Sequence, residues 1–271
     1  MLIAEPPRTP WDIDFPVLGF PVRIHPLFWL VGFLLGYNIT DPKERGIQLF
    51  MWFVAFFGSI LIHELGHALM IRRFGRSAYI VLYMMGGLAI EGRPKESGFG
   101  SPWSFDSYTG FQPRQRTPNE QILISAAGPG IQFLLFGLVF AAIYATRGSV
   151  EIVFAGGMPQ FIPLLGGELG AKPNIGFLVF LLLQINFYWP IINLLPVLPL
   201  DGGQIALQVF MQHDPWGGTR RALWLSVIVG GAVGVIALVA GELYTAMLFA
   251  SLAASCYMTL QQLGGGSHRP W

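Results

Sequence analysis

The feature that most constrains this chain is a series of long stretches almost free of charge, because a helix needs about 20 apolar residues to cross a hydrocarbon core about 30 Å thick. Six segments approach or meet that length: roughly Pro26 to Thr40, Ile47 to Ile71, Gln121 to Thr146, Asn174 to Leu195, Ala222 to Gly241 and Leu243 to Leu260. The first is short and begins just after Arg23 and His25, which suit an interface. The last two are separated only by Glu242, which belongs at a tight turn on a membrane surface. Composition agrees, with 53% hydrophobic and 11% charged residues among 271, against about 25% charged in soluble domains. A soluble enzyme and a disordered chain are excluded. So is a nucleic-acid binder, since 16 Lys+Arg nearly cancel 15 Asp+Glu and leave no basic face for phosphates.

The expected fold is an all-α polytopic membrane protein of about six transmembrane helices, with residues 1–271 as a single membrane-embedded domain. The N-terminus lacks a basic start followed by an apolar core, so no cleaved signal peptide is expected. Counting Lys and Arg by loop gives 12 on the side of both termini and 4 on the other, which puts both termini and the C-terminal end of the second span in the cytoplasm. A single cysteine, Cys256, offers neither a disulfide framework nor a thiolate metal cluster. Chemistry must come from His, Asp, Glu or hydroxyls.

Between the second and third spans, Ala78 to Ile90 is apolar but only 13 residues long, too short to cross as a helix. It is rich in β-formers and carries Gly86-Gly87, so a short membrane-embedded strand or hairpin is expected. Glu91 to Pro118 is polar and rich in Gly, Ser and Pro, and reads as a mobile cytoplasmic loop.

The second span contains His63-Glu64-Leu65-Gly66-His67, an H-E-x-x-H sequence. Two imidazoles four residues apart share one helix face and reach a single Zn²⁺, while Glu64 stands about 100° further round, where it can hold a water. Three ionisable groups within a membrane helix are costly unless paired, which makes a functional role the default. At about 1.5 Å per residue, His63 lies about 24 Å from Ile47 and about 13 Å from Arg72, so the metal belongs roughly 10 Å below the cytoplasmic surface. A catalytic zinc needs a third protein ligand. Asp201 is the leading candidate, because Pro196 and Pro199 break the preceding helix and Gly202-Gly203 permit close backbone approach. His25, His213 and Asp214 are weaker, being placed at a span start or in an exposed loop.

Three motifs together resemble the site-2 protease family of intramembrane zinc metalloproteases. His63-Glu64-Leu65-Gly66-His67 resembles its metal helix, Ser125-Ala126-Ala127-Gly128-Pro129-Gly130 its small-residue motif, and Asn193-Leu194-Leu195-Pro196 through Leu200-Asp201-Gly202-Gly203 its third-ligand motif. The resemblance covers about residues 20–210, leaving 219–263 as an accessory helical hairpin. It implies one catalytic Zn²⁺ held by His63, His67 and Asp201, Glu64 as general base, a membrane-embedded β element at Tyr79 to Ile90, and Asn186 and Asn193 near the site. Where the family often has an asparagine after its Gly-Pro pair, this chain has Gln132. No PDZ or CBS domain is accommodated, so control of access falls to the spans, the 91–118 loop or a membrane partner protein.

The expected reaction is hydrolysis of a peptide bond within or near the transmembrane segment of a single-span membrane-protein substrate. Such a bond must leave its helix, and an edge strand near Gly86 and Gly87 could hold the unwound peptide by strand addition. Asn186 and Asn193, seven residues apart, could bond the peptide or an oxyanion, or else serve helix packing. The rival readings are a membrane metal transporter and a proteolytically inactive membrane chaperone. The transporter predicts ligands on several spans, and the chaperone a degraded motif. Oligomeric state and substrate identity are not encoded legibly.

Overall fold

The computed structural model describes residues 5–37, 39–84, 86–92, 116–155, 158–170 and 172–265. It is mostly helical, and five of its helices are long and apolar enough to cross a membrane. In chain order the elements are β1 (Ile13–Val17), β2 (Phe20–Ile24), α1 (Pro26–Tyr37), α2 (Arg45–Arg73), β3 (Ala78–Tyr83), β4 (Gly86–Glu91), α3 (Pro118–Ala145), β5 (Ser149–Ala155), β6 (Met158–Leu164), α4 (Gly167–Gly170), α5 (Pro173–Asn193), α6 (Asp201–His213), α7 (Gly218–Val239) and α8 (Leu243–Gly265). The candidate spans are α2, α3, α5, α7 and α8.

Three expectations change. The first apolar stretch forms a helix of only 12 residues, about 18 Å at 1.5 Å per residue, too short to span alone. The chain after α5 does not simply end a span: it breaks at Pro196 and Pro199 and starts a separate 13-residue helix, α6, with Asp201 as its first residue. The β content is also larger than a single element, with a four-stranded sheet ordered β1-β2-β3-β4 and a separate β5-β6 hairpin. Most of the segment read as a mobile loop, 93–115, lies outside the described residues.

Strand β2 pairs in parallel with β3, which pairs antiparallel with β4. The β3-β4 hairpin folds back along α2, so that Gly87 meets Glu64 while Gly86, at φ +108°, sits against Trp189 of α5. Ile80, Val81 and Leu82 are fully buried, which makes β3 the interior of the sheet and β4 its edge. At the far end of β4, Glu91 meets Arg76 at 3.4 Å and Arg116 at 2.5 Å, and Arg76 also meets Glu120 of α3 at 2.9 Å.

The approach of α3 to α2 depends on missing side chains. A Cβ on Gly66 would lie 2.6 Å from the Ala127 carbonyl oxygen, and one on Gly128 would lie 2.2 Å from His67 Nε2. Both separations are below contact distance, so the small-residue motif of α3 is what lets the metal helix lie against it. Helix α3 itself starts with a capping box, Thr117 accepting from the Glu120 N–H and Glu120 from the Thr117 N–H.

Candidate metal centre

His63 and His67 project from one face of α2, and Asp201 meets them from the first turn of α6. A ligand atom from each of the three falls within 4.8 Å of the others. Asp201 reaches this position because the chain from Leu194 to Leu200 folds tightly over the start of α6. Side chains at 202 and 203 would collide with it, a Cβ on Gly202 lying 2.0 Å from the Leu194 oxygen and one on Gly203 2.4 Å from the Val197 carbonyl carbon. The fold-back is tied to α7, where Ser226 Oγ accepts from the Leu198 N–H at 2.9 Å.

Hydrogen bonds behind the imidazoles determine which ring nitrogens face the centre. His67 Nδ1 lies 2.6 Å from the Ile124 carbonyl oxygen, which can only accept, so this nitrogen carries the proton. Gln132 Nε2 donates to the Ser59 carbonyl at 3.2 Å, which fixes its amide orientation and leaves Oε1 facing His63 Nδ1 at 2.8 Å. That nitrogen is protonated too. In the neutral rings both Nε2 atoms therefore present lone pairs. They lie 3.1 Å apart, with Asp201 Oδ2 3.1 Å from one and Oδ1 3.4 Å from the other. Acceptors converging on acceptors repel unless a cation lies among them, and two imidazoles with a carboxylate suit a zinc ion.

Glu64 is buried beside this group, with the Ala89 backbone next to its carboxylate. No room exists for a side chain opposite it, since a Cβ on Gly87 would lie 2.3 Å from Glu64 Cγ. The three candidate ligands, Glu64, Gly87 and Ala89 line one cavity of about 450 Å³. Asn193 lines it as well, its Nδ2 donating to the Trp189 carbonyl at 3.0 Å.

The other sequence candidates fall elsewhere. Asn186 is fully buried and turned toward α2, donating to Ser59 Oγ at 2.9 Å and to the Leu182 carbonyl, and it is not among the residues lining the cavity. Gly86 packs on Trp189 at the edge of a smaller apolar cavity. His25 is buried near the start of α1, where its Nδ1 accepts from the Leu27 N–H. His213 is at the opposite end of α6 from Asp201, bonded to the Val209 carbonyl. Asp214 accepts from the Gly217 N–H and pairs with Arg221. Gln132 is the functional contact that residue spacing did not expose. Its signal was an amide in the apolar middle of α3, four residues from Gly128 and so near the same face.

A polytopic helical protein with an H-E-x-x-H helix facing an aspartate is the architecture of a membrane metallopeptidase. The chain belongs to peptidase family M50, the site-2 protease family, whose pattern matches residues 51–235. It is 22% identical over 251 residues to a protein of Methanocaldococcus jannaschii named a zinc metalloprotease, covering 92% of this chain and 59% of that protein. A protein of Synechocystis sp. provisionally named a zinc metalloprotease is 26% identical over 238 residues, 84% of this chain and 51% of its own length. Rip3 of Mycobacterium tuberculosis is 25% identical over 242 residues, covering 84% and 52%. The chain thus spans about half the length of the curated relatives it matches. Among solved structures, the site-2 protease from Methanocaldococcus jannaschii superposes with a TM-score of 0.51 at 17% identity, covering 92% of this chain and 95% of that one. That likeness concerns the fold.

Proposed function

We propose that this chain is a zinc endopeptidase that hydrolyses a peptide bond within or beside the transmembrane segment of a membrane-protein substrate. The observation that carries this reading is the convergence of three acceptors, with both imidazole tautomers set from behind, beside a buried glutamate in a cavity. His63, His67 and Asp201 would hold the metal. Bound there, Zn²⁺ supplies Lewis acidity, polarising a carbonyl and acidifying water. Glu64 takes the proton from the attacking water and passes it to the departing amine.

The edge of β4, which has no strand partner among the described residues, would hold the substrate as a strand. Tyr83 pairs with Gly86 across only two intervening residues, so bonded pairs fall at Gly86, Leu88 and Ile90, and the main-chain groups of Gly87, Ala89 and Glu91 point away from β3. Gly87 and Ala89 are the ones at the cavity. The reading also accounts for the short α1. Ile24, at the end of β2, pairs with Leu82 next to the β3-β4 turn, so α1 starts part-way along α2. Five strand residues at about 3.3 Å and twelve helical ones at about 1.5 Å give roughly 34 Å. We infer that β2 and α1 make a sixth crossing together, with the sheet at membrane depth and the metal nearer the cytoplasmic face by the Lys/Arg bias. Residues 20–210 then form the catalytic core and α7-α8 an accessory hairpin. Transport is disfavoured because the ligands gather at one level rather than along a path.

The test pairs metal analysis with cleavage of a single-span model substrate by purified protein. Glu64→Gln should keep one zinc and lose about 10²- to 10⁴-fold in activity. Asp201→Asn should lose zinc as well as activity, an amide being a poor zinc ligand. Turnover near wild type in Glu64→Gln would remove the proposed function.

A further inference from the structure

Helix α6 does more than deliver Asp201. Residues three and seven positions further along, Gln204 and Gln208, lie on nearly the same helix face, and both line the same cavity as the metal-facing groups. They stand about 4.5 and 10.5 Å along the axis from Asp201. Each is half-buried, yet neither side-chain amide has a hydrogen-bond partner among the described residues. The other amides around the site are all engaged. Gln121 accepts from Arg116, Gln132 bonds His63 and Ser59, Asn186 bonds Ser59, and Asn193 bonds Trp189.

We propose that Gln204 and Gln208 bind the main chain of an extended substrate segment as it leaves the metal, forming the wall opposite the β4 edge. A primary amide carries both a donor and an acceptor, so it complements a peptide group whatever side chain follows. The rise from Gln204 to Gln208 is about 6 Å, close to the roughly 6.7 Å two-residue repeat of a strand, so one strand meets both amides with alternate peptide groups. The row has a direction. Its next member, Gln212, donates to Asn119 Oδ1 in the first turn of α3 at 2.8 Å, so the strand runs from the metal toward the α3 N-terminal end. Recognition there reads whether the peptide is extended, not which residues it contains. This rests on the peptidase reading above.

The experiment compares wild type, Gln204→Leu, Gln208→Leu and the double variant on a single-span substrate, with zinc content and thermal stability measured on each. Each single change should lower kcat/KM about 5- to 10-fold with zinc unchanged, mainly through KM. A scan replacing single substrate amides by esters on both flanks of the cut should find one flank where an ester slows wild type but not the double variant. Gln208→Asn, which keeps polarity and loses reach, should behave like the leucine variant. Wild-type kcat/KM in the double variant, or an ester scan identical in both enzymes, overturns the proposal while leaving the peptidase intact. A wild type that holds no zinc and cuts nothing overturns both.

Discussion

Two of the β-hairpins among the described residues, β3-β4 and β5-β6, treat their edges in opposite ways. In β3-β4, the outward groups of β4 belong to Gly87, Ala89 and Glu91, none a proline, and the edge borders the cavity. In β5-β6, Ala155 faces Met158 across two residues, so the outward positions of β6 are 159, 161 and 163. Two of these are prolines, Pro159 and Pro163, with no N–H to offer. The carbonyls of Pro159 and Phe161 accept from Tyr188 and Gln184 of α5, and the Phe161 ring packs on Phe136 and Phe187. One edge has been closed by deleting donors and capping acceptors; the other has no strand partner among the described residues. Open edges are tolerated at membrane depth only where protein or water meets them, so an edge free of proline beside a buried glutamate is what the proposed strand addition of a substrate rests on.

The contrast can be broken most severely at Gly87. Even Gly87→Ala puts a Cβ into Glu64, so cleavage should fall more than 100-fold while zinc is retained; near-normal turnover would show that the edge is not against the working carboxylate. An intermediate effect, about 10-fold, is expected from Ala89→Pro, which removes one outward donor at the cavity, again with zinc unchanged. The smallest effect belongs to the closed hairpin. Gln184→Leu with Tyr188→Phe should leave kcat/KM within about twofold and cost about 1 kcal/mol of stability per lost bond, read as a lower melting temperature. A large loss of cleavage there would mean that β5-β6 also serves the substrate.

The contrast also explains what the sequence made legible. His63, Glu64 and His67 sit within five residues of one helix, where spacing alone dictates a shared face, and Asp201 stood out because few other ionisable groups occur near a helix break. Asn186 was harder, since helical periodicity gives a direction around α5 but not what stands there; Ser59 does, and it draws the side chain away from the cavity. Strands β1, β2 and β6 carry prolines at 16, 21, 159 and 163 and lack a clean alternation, so they do not read as strands. Helix α6 was masked by the two prolines before it, which end a span and equally precede a new helix. The shortness of α1 becomes intelligible only once β2 is paired with β3, a contact some 58 residues distant that no local pattern announces.

The arrangement behind the imidazoles bears on how such a protein comes to be made. His63 and His67 emerge together on α2, and their back-side partners Ile124 and Gln132 follow on α3, whereas Asp201 is 138 residues beyond His63. A growing chain therefore carries an oriented two-nitrogen half-site well before its carboxylate exists. An ion captured at that stage would act as a fastener, drawing the newly inserted α6 against α2 and relieving the mutual repulsion of the three acceptors.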